Sequence, residues 1–124
     1  MELEELNIYR LAMDLGEKAW KATENWKNFE RDTIGKQLVR AADSVAANIS
    51  EGYGRFHFRE SVNFMYYARG SLFEVKTWFT KAFNRNLIDE NQNNILLQDI
   101  KDLGVKLNNY ISTIKRQNQK QSSN

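Results

Sequence analysis

Residues 96–114, LLQDIKDLGVKLNNYISTI, decide how the rest of the chain is read. Leu96, Ile100, Leu103, Leu107, Tyr110 and Ile114 recur at alternating spacings of four and three. A helix gathers residues so spaced onto one stripe, and the stripe must bury itself against other helices. Three further stretches carry the same signal. Ile8, Leu11, Ala12, Leu15, Ala19 and Ala22 form one stripe, and Ile34, Leu38, Ala41, Val45 and Ile49 form a second of small and branched residues. Met65, Ala68, Leu72, Val75, Phe79 and Ala82 make the third.

The breaks between them have local causes. The stripe lapses over Thr23–Phe29, where Asn28 or Asp32 is expected to cap the second helix, as Asn7 is the first. Gly52-Tyr53-Gly54 is expected to end the second helix through a left-handed glycine. Asn84-Arg85-Asn86 weakens the end of the third, and Asp89 with Gln92 three residues on makes a capping box for the fourth. Short connections make successive helices antiparallel neighbours. The expectation is an all-α, antiparallel up-down-up-down four-helix bundle over residues 1–115, followed by a disordered basic and polar tail over 116–124.

Composition narrows the function classes. With 124 residues, 41% hydrophobic and 27% charged, the chain suits one globular domain. It has no proline, which favours long unbroken helices, and no cysteine, which excludes disulfides, thiolate metal sites and a cysteine nucleophile. The acidic start Met1-Glu2-Leu3-Glu4-Glu5 lacks an apolar signal core, and no apolar run approaches the ~20 residues of a membrane span. A cytoplasmic location without membrane contact is expected. Asn48-Ile49-Ser50 matches a glycosylation acceptor only by chance in that setting.

Net charge is +2, but it is unevenly spread. Residues 1–30 hold seven acids and four bases (−3), whereas residues 91–124 hold five bases and two acids (+3). Such asymmetry suits self-association or a polyanion at the basic end. Phe56, Phe58, Phe64, Tyr66, Tyr67, Phe73 and Trp78 exceed what one buried helix face requires, which again points to a subunit partner.

Catalytic and metal patterns are weak. The single histidine, His57, has Gly54 three residues before it, not the glutamate of a dinuclear bundle site. Asp43 and Ser44 point about 100° apart on a helix, so with His57 they make no triad. Gly52-Tyr53-Gly54-Arg55 lacks the Gly-Lys-Ser/Thr of a phosphate loop. No catalytic residue, metal ligand or cofactor is therefore assigned. A polar set is more informative: Arg40, Ser44, Asn48 and Glu51 share one face of the second helix, and Arg69, Ser71 and Glu74 lie on the third. Glu51 and Glu74 resemble an acid/base pair, yet Arg69 and Arg40 are available to pair with them, so a register-fixing or subunit-contact network is expected. Candidate nucleic-acid contacts are Lys36, Arg40, Arg55, Arg59, Lys115 and Arg116, with aromatic residues interleaved near Arg55.

Two blocks of sequence carry a family resemblance. Residues 37–54, QLVRAADSVAANISEGYG, and residues 64–74, FMYYARGSLFE, resemble the bacterial four-helix-bundle family named for open reading frames within 23S ribosomal RNA intervening sequences. The second block looks like that family's Ala-Arg-Gly-Ser-x-x-Glu element, and the seven polar residues above fall at the family's pattern positions. Where many members have proline between the serine and asparagine of the first block, this chain has Ala46-Ala47, so its second helix should run straighter. The resemblance implies a cytoplasmic homo-oligomer, most simply a pentameric ring, without enzymatic activity. It also implies kinship with the accessory variability protein of diversity-generating retroelements, a pentamer that binds a reverse transcriptase and nucleic acid. The leading expectation is thus a ring that binds structured RNA, or DNA, and serves a reverse transcriptase. The alternative is a protein-protein scaffold.

Overall fold

The computed structural model describes residues 1–122, with side chains placed through Lys120. Four long helices and no strand appear among the described residues. They are α1 (Asn7–Thr23), α2 (Lys36–Tyr53), α3 (Phe58–Asn84) and α4 (Glu90–Ser122). A 3₁₀ turn, Leu3–Glu5, precedes α1. One α-helical turn, Asn28–Glu30, and a π-helical turn, Arg31–Gly35, lead directly into α2.

The apolar stripes bury as their spacing requires. Leu38, Ala41, Val45 and Ile49 on α2, and Met65, Ala68, Leu72, Val75, Phe79 and Ala82 on α3, are all buried in one core. Along α4 the stripe is Leu96, Ile100, Leu103, Leu107, Ile111 and Ile114. Tyr110 only flanks it, because a straight helix of 3.6 residues per turn drifts off a strict alternation of three and four. Contacts join α1 to α2, α2 to α3, α3 to α4, and α4 back to α1, enclosing the core on four sides. The ends are tied by side chains. Tyr53 donates to the Met1 carbonyl, and Lys18 on α1 pairs with Asp99 on α4.

Several terminators differ from the sequence expectation. Neither Asn28 nor Asp32 caps α2, since backbone hydrogen bonding continues from the Asn28 turn through the π turn. Leu6, not Asn7, is the α1 cap residue. Among the described residues no glycine has positive φ. Gly54 closes α2 in the right-handed region at φ −78°, while Gly52 serves close packing instead. A Cβ at Gly52 would lie 2.8 Å from Met65 Cε and 3.0 Å from both Phe64 Cβ and the Ser61 carbonyl. The left-handed residue is Asn86 (φ 63°), whose role at the end of α3 is to let Leu87 N–H reach the Ala82 carbonyl at 2.9 Å. The Asp89–Gln92 capping box is present in both directions, at 2.7 and 3.1 Å.

The tail also departs from expectation. Residues 116–122 continue α4 as helix, and 123–124 lie outside the described residues. No glycine or proline interrupts this segment, and Lys, Arg and Gln are good helix formers, so the helix outlasts the buried stripe that ends at Ile114.

Candidate nucleic-acid interface

The π turn and the α2–α3 connection place the candidate basic residues at two separate sites. Lys36 and Arg40 line a cleft with Trp20, Glu24, Arg31 and Asp32, beside the α1–α2 connection. Arg55 and Arg59 sit at the other end of α2, roughly 28 Å away at 1.5 Å per residue from Lys36 to Arg55. The six candidates therefore do not form one surface.

The α2–α3 end is the richer of the two. The Arg55 guanidinium is 3.1 Å from Glu51 and lies 4.8 Å from the centroid of the Phe64 ring. Phe64 in turn meets Tyr67 edge-on at 5.6 Å. Phe56 is 92% exposed and stacks edge-on with His57 at 5.1 Å. The last turns of α4 reach this end, because Asn118 shares a shallow depression with Phe56, His57, Phe58 and Arg59. One turn before it, Lys115 places its ammonium 5.1 Å from the centre of the Tyr66 ring. Arg116 donates to Thr113 on its own helix at 3.3 Å and is otherwise exposed. Helix α4 thus brings Lys115 within one turn of the depression that holds Arg59, while Arg55 packs on Phe64.

The seven-residue polar set divides into smaller units. Ser44 and Ser71 hydroxyls meet across α2 and α3 at 2.9 Å, and Asn48 Nδ2 donates to the Ser44 hydroxyl at 3.0 Å and to its carbonyl at 2.9 Å. This partly buried triangle fixes the register of α2 on α3. The expected arginine partners of the glutamates are different ones. Glu51 binds Arg55 in the next turn, and Glu74 accepts a bond from Trp78 Nε1 at 3.3 Å. Arg69 donates to Asn108 on α4 at 3.0 Å and stacks on Tyr66, while Arg40 faces the Trp20 cleft. Side chains on one helix reach partners one turn away more readily than partners across a seam, which accounts for the Glu51 and Glu74 pairings.

Ser44, His57 and Asp43 stay apart. Ser44 is held in the triangle, His57 lies beyond the end of α2, and Asp43 faces Gly16 and Glu17 on α1. Burial first, and the Glu17 charge second, raise the Asp43 carboxyl above its usual range. Burial first, and Tyr53 second, likewise raise Tyr110. Among the described residues there is no group of three or more His, Asp or Glu able to hold a metal ion, and no helix long and apolar enough to cross a membrane.

Sequence reasoning missed three features that need tertiary pairing: the Arg69–Asn108 bond, the Lys18–Asp99 bridge, and a groove between α3 and α4 described below. Each joins residues at least 18 apart in the chain, and no local pattern reports such pairs.

No curated protein matches this chain. Among solved structures it is similar to a crystal structure of a protein with unknown function from the S23 ribosomal protein family of Bacteroides thetaiotaomicron VPI-5482. That likeness has a TM-score of 0.76 at 16% identity, over 84% of this chain and 97% of that one, and it concerns the fold. The match that identifies the chain runs over residues 4–109 and takes in both signature blocks: the chain belongs to the 23S rRNA-intervening sequence protein family.

Proposed function

We propose that this protein is a non-catalytic, cytoplasmic bundle that assembles into a homo-oligomeric ring, pentameric as the resemblance implied, and binds structured RNA as an accessory to a reverse transcriptase. The bundle runs up-down-up-down in this reading. Supporting that order, Tyr53 at the end of α2 bonds Met1, and Ser44 and Arg69 reach Ser71 and Asn108 on the following helices.

The observation that carries nucleic-acid binding is the α2–α3 end, where Arg59 shares a depression with exposed Phe56 and His57, Arg55 precedes Phe56 in the chain, and Lys115 lies one turn from Asn118 of that depression. Phosphates pair with such cations while unstacked bases lie on aromatic rings. Glu51 neutralises part of Arg55, which keeps the intrinsic charge of one subunit modest. A ring repeats the cluster around its circumference, so the field grows with assembly. A hairpin RNA with a single-stranded loop, labelled for fluorescence anisotropy, tests this reading. Replacing Arg55, Arg59 and Lys115 together by Ala is expected to weaken binding at least ~10-fold and flatten its salt dependence, since each lost phosphate contact removes ~0.7–0.9 from the log–log slope. Lack of binding by the unaltered protein at low salt, to RNA and DNA alike, would refute it. Co-purification of the two proteins tests the reverse transcriptase as partner.

A further inference from the structure

Helices α3 and α4 do not close fully on each other. Between them lies a groove of about 460 Å³ whose walls include Leu72, Phe73, Leu97 and Val105, with Lys76 and Lys101 at its rim. Phe73 is 64% exposed and Val105 53%, although both are large apolar residues beside an apolar floor. The lining contains three bases, Arg69, Lys76 and Lys101, and no acid. Arg69 is engaged with Asn108 and Tyr66, which leaves the two lysines for an outside partner. Gly70, one turn before Phe73, sits in the middle of α3 with nothing within 4 Å of where its Cβ would be. A glycine weakens a helix interior, and inside this subunit no close neighbour requires one.

The opposite surface has the complementary character. On α1, Met13, Glu17 and Trp20 follow the i, i+4, i+7 rule and form one outward ridge, with Met13 45% and Trp20 57% exposed. Glu17 stands beside Asp43 in a depression that contains no base. Two neighbouring carboxylates, one of them partly desolvated, are stabilised by an incoming ammonium. The cleft at Trp20 contains Arg31, Lys36 and Arg40 as well as acids, so the charge match is anchored at the Met13–Glu17–Asp43 end.

We propose that the α3–α4 groove receives the α1 ridge of a second copy of this chain, with Lys76 and Lys101 facing that copy's Glu17 and Asp43. The two faces are different surfaces, so the contact is head-to-tail, the type that builds a ring when its rotation closes. The inference rests on the oligomeric reading above and names the faces that would make it. Arg55, Arg59 and Lys115 lie outside the groove lining.

Size-exclusion chromatography with light scattering over a dilution series, with helicity followed by circular dichroism, tests the contact. Glu17→Lys with Asp43→Lys, and separately Lys76→Glu with Lys101→Glu, are each expected to raise the concentration for half-assembly at least ~10-fold without loss of helicity. All four changes in one chain are expected to restore assembly to within ~3-fold, as a reciprocal charge pair should. Gly70→Gln should also weaken assembly while the subunit stays helical. If the unaltered protein assembles but the four-change chain does not recover, or Gly70→Gln has no effect, this docking is wrong while the ring itself stands. If the unaltered protein is monomeric at every concentration, both fail; RNA binding is read separately by anisotropy.

Discussion

The two seams that α3 makes are built differently. Against α2 it packs closely at Gly52, where a Cβ would meet Met65, Phe64 and Ser61, and the Ser44–Ser71 hydrogen bond with Asn48 beside it ties their register. Against α4 the contact is looser. Phe73 and Val105 stay exposed, Gly104 has room around it, and a groove runs between the helices. The apolar stripe of α3 supplies both seams. A polar pair crosses each seam, Ser44–Ser71 in one and Arg69–Asn108 in the other, so what separates them is how closely the facing residues let the helices approach. The tight seam ties α3 to α2, and the open one is the groove into which the proposed second copy would dock.

The comparison breaks most severely at the residue that underlies both seams. Phe79 is fully buried, and Phe79→Ala is expected to cost about 3–5 kcal/mol through lost burial and a residual cavity, read by urea denaturation. The glycines then separate the seams by the sign of their effect. Gly52→Ala puts a methyl group within 3.0 Å of Phe64 and of a backbone carbonyl, so it should destabilise by about 1–3 kcal/mol. Gly104→Ala meets only Leu72 Cδ2 at 3.7 Å, an ordinary contact, and should stabilise by about 0.5–1 kcal/mol through helix propensity. Equal signs in thermal melts would show that the seams are packed alike.

The smallest effect concerns Asp43 on the neighbouring α1–α2 seam. Its raised pKa means that the folded chain holds the proton more tightly than the unfolded chain does. The stability this contributes is fully present below the ordinary value of 3.8 and is lost as pH rises through the raised folded value. Asp43→Asn should therefore raise the melting temperature slightly at neutral pH, with the gain vanishing in acid. Melts of both proteins from pH 3 to 8 would show the two curves converging at low pH, and a gain independent of pH would remove the electrostatic explanation.

Much of the subunit was legible because helical burial is periodic. Each stripe from Ile8 to Ile114 shows its inward face in sequence, and the Asp89–Gln92 box marks a helix start within four residues. The signature polar residues were legible as a set, but their partners were not. Glu51 chose Arg55 and Arg69 chose Asn108, since a long side chain takes whichever partner the packed helices bring nearest. Gly52 was read as a turn residue because sequence cannot separate a need for backbone freedom from a need for space.

The sequence by itself therefore determined the number of helices, their buried stripes and the family, all of which rest on local spacing and residue type. Tertiary structure alone decided how the bases are distributed over the surface. It brought Lys115 to the end that carries Arg55 and Arg59, left Lys36 and Arg40 at another, and opened a basic-rimmed groove along α3 and α4. The physical reason is that periodicity fixes the face each helix buries, whereas the contents of the surface depend on how far each helix runs and how closely its neighbours approach.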